Sequence, residues 1–408
     1  MPKTNHIHWA WVILGTCFAN LFINYSVRLG YGVILPEMIR DLGLSRTAGG
    51  SIFNAYLFPY IALTPITGYL TDRFGARRVI TICAFFLGVS VFLMGTVESL
   101  WMACLFYAMV GIGATGMWTP IITLVQRWFA PKRRGLGLGV LSTGYGLGFA
   151  LMGIAFPWIV NHYSWRYSWY LLGAGALFMV AVNGLLLKSD PESAGYLPWG
   201  QKESTVSMPW STTTLARKEQ LIAVFKDRTF WLIGLSYACI SYSLYGITTF
   251  MVDYAKYQIG LPLEKASLLA TVHGVCQVAG VLTILPLSDH LGRKKAIILS
   301  NTFISACLAG ILLVGNSWVM VCLLVGIMAL FYGVTWPIYG ACAADYFPKD
   351  LMGTVIGALT PLYGLGAILV HWVSGVLRDS TGRYDHAFML NTITAVVAIL
   401  LIRAIREG

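Results

Sequence analysis

A compact charged turn occurs twice in this chain, each time at the end of an apolar run. The first copy reads Gly68-Tyr-Leu-Thr-Asp72-Arg73-Phe-Gly75-Ala-Arg77-Arg78, and the second Leu287-Ser-Asp289-His290-Leu-Gly292-Arg293-Lys294-Lys295. Asp72 and Asp289 are 217 positions apart, a little over half of the 408 residues. Few folds satisfy that constraint. The chain has to set the same polar turn at the same point of two related, largely apolar halves.

The apolar runs have the length of membrane-spanning helices. About twelve of them, from 9–36 to 386–404, approach or exceed the roughly 20 residues that cross a hydrocarbon core. Only 11% of the residues are charged and 57% are hydrophobic, against roughly a quarter charged in a soluble domain. A spanning β-barrel would alternate polar and apolar residues with period two, and these runs do not. The N-terminus lacks a signal-peptide cleavage pattern, so the first span is expected to remain. When the spans alternate from an inside N-terminus, twenty of the 28 Lys and Arg fall inside and seven outside, with Arg28 left within a span. This bias predicts cytoplasmic termini and accounts for the net charge of +11 by topology, without nucleic acid. All eight cysteines lie in apolar runs with no metal-ligand spacing, so neither a disulfide framework nor a metal site is expected. No phosphate-binding glycine loop is visible, and no cofactor is expected.

The halves run over 1–188 and 229–408, joined by a polar stretch at 189–228 that reads as a passive cytoplasmic tether with a short surface helix at 215–226. Duplication extends beyond the charged turns. Gly139-Val-Leu141-Ser-Thr-Gly-Tyr145-Gly146-Leu147-Gly148 matches Gly357-Ala-Leu359-Thr-Pro-Leu-Tyr363-Gly364-Leu365-Gly366 at six of ten positions, at an offset of 218. Trp118 meets Trp336 at the same offset. Small residues of this kind let helix backbones approach in lipid, where apolar burial between helices contributes little.

On these motifs the chain resembles the major facilitator superfamily over nearly its whole length. Within it, Arg28-Leu-Gly-Tyr-Gly-Val-Ile-Leu-Pro36, Arg127-Trp128-Phe129 with Arg133-Arg134-Gly135, and Pro191-Glu-Ser-Ala-Gly195 resemble the oxalate/formate antiporter and monocarboxylate porter branch. The resemblance implies an all-α membrane protein of twelve helices in two pseudo-symmetric six-helix bundles. It further implies a secondary transporter rather than an enzyme, working by rocker-switch alternating access. The expected cargo is a small organic anion, above all a monocarboxylate, with a proton or an exchanged anion as coupled species. Export of an amphipathic, neutral or zwitterionic compound is the alternative. The expected setting is a bacterial inner membrane and the expected state a monomer.

The resemblance assigns gating to Asp72, Arg73, Arg77 and Arg78, with Arg133 and Arg134 as further partners, and to Asp289, Arg293 and Lys294 in the second copy. The competing reading is that these cations only hold the loops inside. Arg28 is the sharpest substrate candidate, because a cation inside a span needs a cavity or a partner; the alternative is that it snorkels to the outer surface. Asn20, Asn24 and Arg28 share one helix face, with Tyr31 nearby. Many relatives place an Arg eight residues before the second Asp, where this chain has Val281; His273 and Gln277 precede it and offer hydrogen bonds without fixed charge. Asn54, Trp118, Tyr145, Tyr332, Trp336 and Tyr363 complete the expected substrate set. Asp253, His273 and His371 are the proton-coupling candidates, although Asp253 also reads as an interfacial residue in water.

Overall fold

The computed structural model describes residues 8–201, 224–315, 317–347 and 352–405. The first half contributes α1 (Trp9–Asp41), α2 (Arg46–Phe74), α3 (Ala76–Met94), α4 (Leu100–Ala114), α5 (Thr119–Trp128), α6 (Arg134–His162) and α7 (Trp165–Leu186). The second contributes α8 (Arg228–Asp253), α9 (Leu263–Leu291), α10 (Arg293–Leu313), α11 (Trp318–Tyr346), α12 (Met352–Thr381) and α13 (Asp385–Arg403). A 3₁₀ turn over Thr115–Met117 joins α4 to α5 as one broken span, with Pro120 just inside α5. A π-helical turn, Tyr254–Gln258, extends α8. The chain is all-α, as expected.

Eleven helical segments among the described residues are long and apolar enough to cross a membrane. The remaining long helix, α2, matches its neighbours in length, but Pro59, Pro65, Asn54 and four threonines lower its apolar content. Helix starts follow local chemistry. Ser99 accepts from Met102 N, Ser164 from Arg166 N and Asp227 from Thr229 N, which satisfies otherwise orphaned first-turn donors.

The repeated charged turn is reproduced in backbone geometry. Gly75 has φ 84° and ψ 145°, and Gly292 has φ 84° and ψ 138°. Only glycine adopts this region readily, so the two turns share their bend as well as their charges.

The chain divides into two compact units: Met1–Tyr31 with Ala55–Val206, and Gly32–Asn54 with Ser207–Gly408. The division cuts α1 after Tyr31 and α2 before Ala55, so the tip of the first helical hairpin belongs to the second unit. Within the first unit α3 packs on α4 and α7, and α6 lies along α1. Gly148 of α6 sits so close to α1 that a Cβ there would fall 2.6 Å from the Phe22 carbonyl oxygen. Within the second unit α9 packs on α11, and α12 and α13 on α8. The repeat partner Gly366 of α12 abuts α8, where a Cβ would fall 2.0 Å from the Ala238 oxygen. Tyr145 and Tyr363 accordingly sit on equivalent helices, each the fifth span of its half.

Part of the polar stretch between the halves is tightly packed. Trp199 N donates to Trp128 O (2.8 Å) and Ala130 N to Trp199 O (3.1 Å). The Trp199 ring packs on Trp11 and Phe129, and Tyr196 on Trp9 and Trp128. The Ser189 hydroxyl accepts from Arg77 N at 3.1 Å. Residues 188–200 therefore form a strap over the ends of α1, α3 and α5, in contrast to the passive tether that the composition suggests. The expected helix at 215–226 falls mostly outside the described residues.

Candidate functional site

In the first unit, Arg28 is 4% exposed. Its guanidinium carbon lies 4.8 Å from the ring centroid of Tyr60, 5.6 Å from Tyr56 and 5.9 Å from Tyr25. Helical side chains lean toward the N-terminus, and Arg28 does so, over Tyr25 one turn earlier and across to the middle of α2. The snorkelling alternative fails, because the charge is directed into the protein. Tyr25 packs edge-on against Tyr145 at 4.2 Å and Trp118 at 6.1 Å. Tyr25 thus stands between Arg28 and the pair Trp118 and Tyr145, and Tyr25 and Tyr60 are residues the sequence did not single out.

The polar face of α1 is divided in use. Asn20 exchanges two hydrogen bonds with Asn183 of α7, at 2.7 and 2.9 Å, and so fastens two helices. Asn24 is 2% exposed, and its Oδ1 meets no hydrogen-bond partner among the described residues. Tyr31 is wholly buried and stacks on Tyr107 at 4.9 Å.

In the second unit the aromatic set also converges. Trp336 meets Tyr363 edge-on at 4.3 Å and Tyr332 at 5.9 Å. Tyr237 and Tyr245 of α8 pack on Tyr363 at 4.9 and 5.8 Å. His273 stands edge-on to Tyr332 at 4.6 Å. Gln277, one turn further along α9, is fully buried, and neither end of its amide meets a protein partner among the described residues. Val281 is buried.

The tip of the first hairpin carries a dense charge network within the second unit. Asp253, at the end of α8, is 0% exposed. Arg46 pairs with it at 3.3 and 3.4 Å, and the Tyr384 hydroxyl donates to it at 2.7 Å. The reading of Asp253 as a water-facing residue is therefore corrected: two elements distant in sequence cover it. Burial first, and then the Asp253 carboxylate, raises the Tyr384 phenol well above its usual value, so it stays a donor. Asp379 of α12 accepts from Arg46 N (3.0 Å), Thr47 N (2.8 Å) and Thr47 Oγ1 (2.6 Å), at the N-terminus of α2 where the helix dipole favours an anion. Glu37 of α1 bridges Arg40 at 2.8 Å and also Lys256 of the π turn. Asn54 donates to Ile368 O at 3.0 Å. His371 stacks on Phe53 at 4.4 Å, and its Nε2 bonds Thr249 Oγ1 at 2.9 Å. Nothing in the motifs marks Arg46, Glu37, Lys256, Asp379 or Tyr384. Only an acid and a base inside or at the edge of apolar runs hinted at them.

The first charged turn is arranged differently from expectation. Asp72 pairs with Arg127 of α5 at 3.5 Å, in place of Arg77, Arg78, Arg133 or Arg134. Arg77 donates to the Gly184 carbonyl, and Arg73 reaches Tyr69 Oη at 3.2 Å. Arg133 lies over Trp199, and Arg134 donates to Gln126 O at 2.9 Å. Arg78 is exposed. In the second copy, Arg293 donates to Ser288 Oγ at 2.5 Å and Lys294 to Ile405 O at 2.8 Å. The side chain of Asp289 lies outside the described residues.

Comparison with known proteins places this geometry in context. The family model described as Major Facilitator Superfamily matches residues 17–266 and 233–407. A hexuronate transporter of Bacillus subtilis (strain 168) is 25% identical over 399 residues, covering 94% of this chain and 92% of that protein. A probable sulfoacetate transporter of Cupriavidus necator is 24% identical over 401 residues, covering 95% and 91%. Among solved structures, a bacterial homologue of the human lysosomal transporter Spinster superposes with a TM-score of 0.74 at 15% identity, covering 98% of each chain. That likeness speaks to the fold alone.

Proposed function

We propose, from the premise that this chain belongs to the major facilitator superfamily, that it carries a small organic monoanion across a bacterial inner membrane. Membership of that superfamily, together with full-length transporter relatives, supports a transporter and not an enzyme. The single observation behind the substrate class is Arg28, a guanidinium 4% exposed yet set among tyrosine rings inside a span. An arginine so placed suits a carboxylate, which it can grip through two parallel hydrogen bonds. Hexuronate, the cargo named for one relative, is a monoanion of this kind; sulfoacetate, named for another, is also a small organic anion but carries both a sulfonate and a carboxylate. The apolar Val281, with Gln277 and His273 supplying no fixed charge, favours a single negative charge over a dicarboxylate.

In this reading the halves 1–188 and 229–408 alternate access as a monomer, with both termini and the 189–228 connection in the cytoplasm. Asn24, Tyr31, Trp118 and Tyr145 in the first unit, and Asn54, Tyr332, Trp336 and Tyr363 in the second, are the wider substrate candidates. Asp253, His273 and His371 are the candidates for a coupled proton; anion exchange is the other mode of coupling. The charged turns set the conformational balance without touching cargo.

Uptake into proteoliposomes tests the proposal with a hexuronate, sulfoacetate, lactate and a neutral hexose, each with and without a proton gradient. The hexuronate or lactate should accumulate and the hexose should not; uptake of the doubly charged sulfoacetate alone would overturn the preference for a single charge. Arg28→Gln should weaken anion affinity about ten- to a hundredfold, the loss of a charge-assisted hydrogen bond, and Arg28→Lys should recover part of it. Unchanged anion affinity in Arg28→Gln, or uptake of the hexose alone, would overturn it in favour of a neutral or amphipathic cargo.

A further inference from the structure

We infer that Tyr25, Tyr56 and Tyr60 are positioning residues that hold the Arg28 guanidinium for its anion through their ring faces, an inference that rests on the anion reading of Arg28. Burying a guanidinium is unfavourable unless something replaces its hydration. Three rings within 6 Å of its carbon supply a replacement from two helices. Tyr25 and Arg28 are three apart on α1, and Tyr56 and Tyr60 four apart on α2, so each pair shares a helix face. The Tyr56 and Tyr60 rings stack at 5.7 Å and 13° and form one platform. Tyr56 in turn packs on Tyr107 at 5.3 Å and Tyr25 on Tyr145 at 4.2 Å, which fixes two of the rings from behind. A π face attracts a cation through its quadrupole but carries no net charge. The rings therefore steady the guanidinium without themselves adding a net charge beside it.

Tyr60 is the informative position, because its ring is nearest to the charge and only half-buried. Binding of the hexuronate and of lactate would be measured on the full-length protein in nanodiscs. Tyr60→Leu should weaken both about two- to thirtyfold, the range of a cation–π contact. Tyr60→Phe keeps the ring face and should restore affinity to within about twofold. Phenylalanine with one, two and three fluorines at position 60 should lower the logarithm of affinity step by step, because fluorine withdraws density from the ring at nearly constant shape. A flat fluorine series, or wild-type affinity in Tyr60→Leu, would overturn the inference while the Arg28→Gln result leaves the anion reading standing. Wild-type affinity in Arg28→Gln would instead overturn both.

Discussion

The two ends of α2 solve the same problem, holding a helix terminus by charge, in opposite ways. At the Asp72 end the carboxylate is 75% exposed and meets Arg127, itself 38% exposed, at 3.5 Å. At the Arg46 end the carboxylate of Asp253 is fully buried and shared between a guanidinium and a phenol, while Asp379 takes three donors from the first two residues of the helix. The Asp72 end carries the conspicuous motif, and the Arg46 end carries the tighter network. An exposed pair in high dielectric contributes little and is screened by salt. A buried pair, once one partner is removed, leaves a charge that nothing solvates. Motif density and interaction strength are therefore separate properties of this molecule. The exposed turn can exchange partners at small free-energy change, whereas the buried end anchors the hairpin tip within the second unit.

Several substitutions would sharpen or break this contrast, beginning with the largest effect. Asp253→Ala should destabilise the protein by roughly 3–5 kcal/mol, the range for stripping one partner from a buried pair, read as a lowered thermal midpoint in detergent. Replacing both partners, Arg46→Met with Asp253→Leu, should restore most of that midpoint, because a well-packed apolar pair is often neutral relative to a buried ion pair. If the double variant is as unstable as Asp253→Ala, the contact is an anchor through something other than charge. Next in size, Thr47→Val removes one hydroxyl donor from Asp379 and should be worth about 1 kcal/mol, with the two backbone donors intact. Smallest in stability is Asp72→Asn, at about 0–1 kcal/mol and vanishing in high salt. Its effect should appear as slower transport at little-changed substrate affinity. A thermal shift from Asp72→Asn as large as that from Asp253→Ala would erase the distinction between the ends.

The sequence by itself determined the features that are one-dimensional. Apolar run length specifies spanning helices, because each crossing must satisfy its backbone internally. A constant offset of 217 or 218 specifies duplication, and the fold repeats it at Gly75 and Gly292, at Gly148 and Gly366, and at Tyr145 and Tyr363. Arg28 was legible because a single cation in an apolar run is improbable without a purpose. The ring cage around it was not, since Tyr60 meets Arg28 only after two helices are placed side by side. Only the tertiary structure decided the charge network at the hairpin tip. Arg46 and Asp253 are 207 residues apart, and Tyr384 another 131 beyond. Read singly, each is an ordinary residue at a span edge. Charge pairing acts over a few ångströms in space and carries no periodicity along the chain, so neither composition nor spacing could announce it.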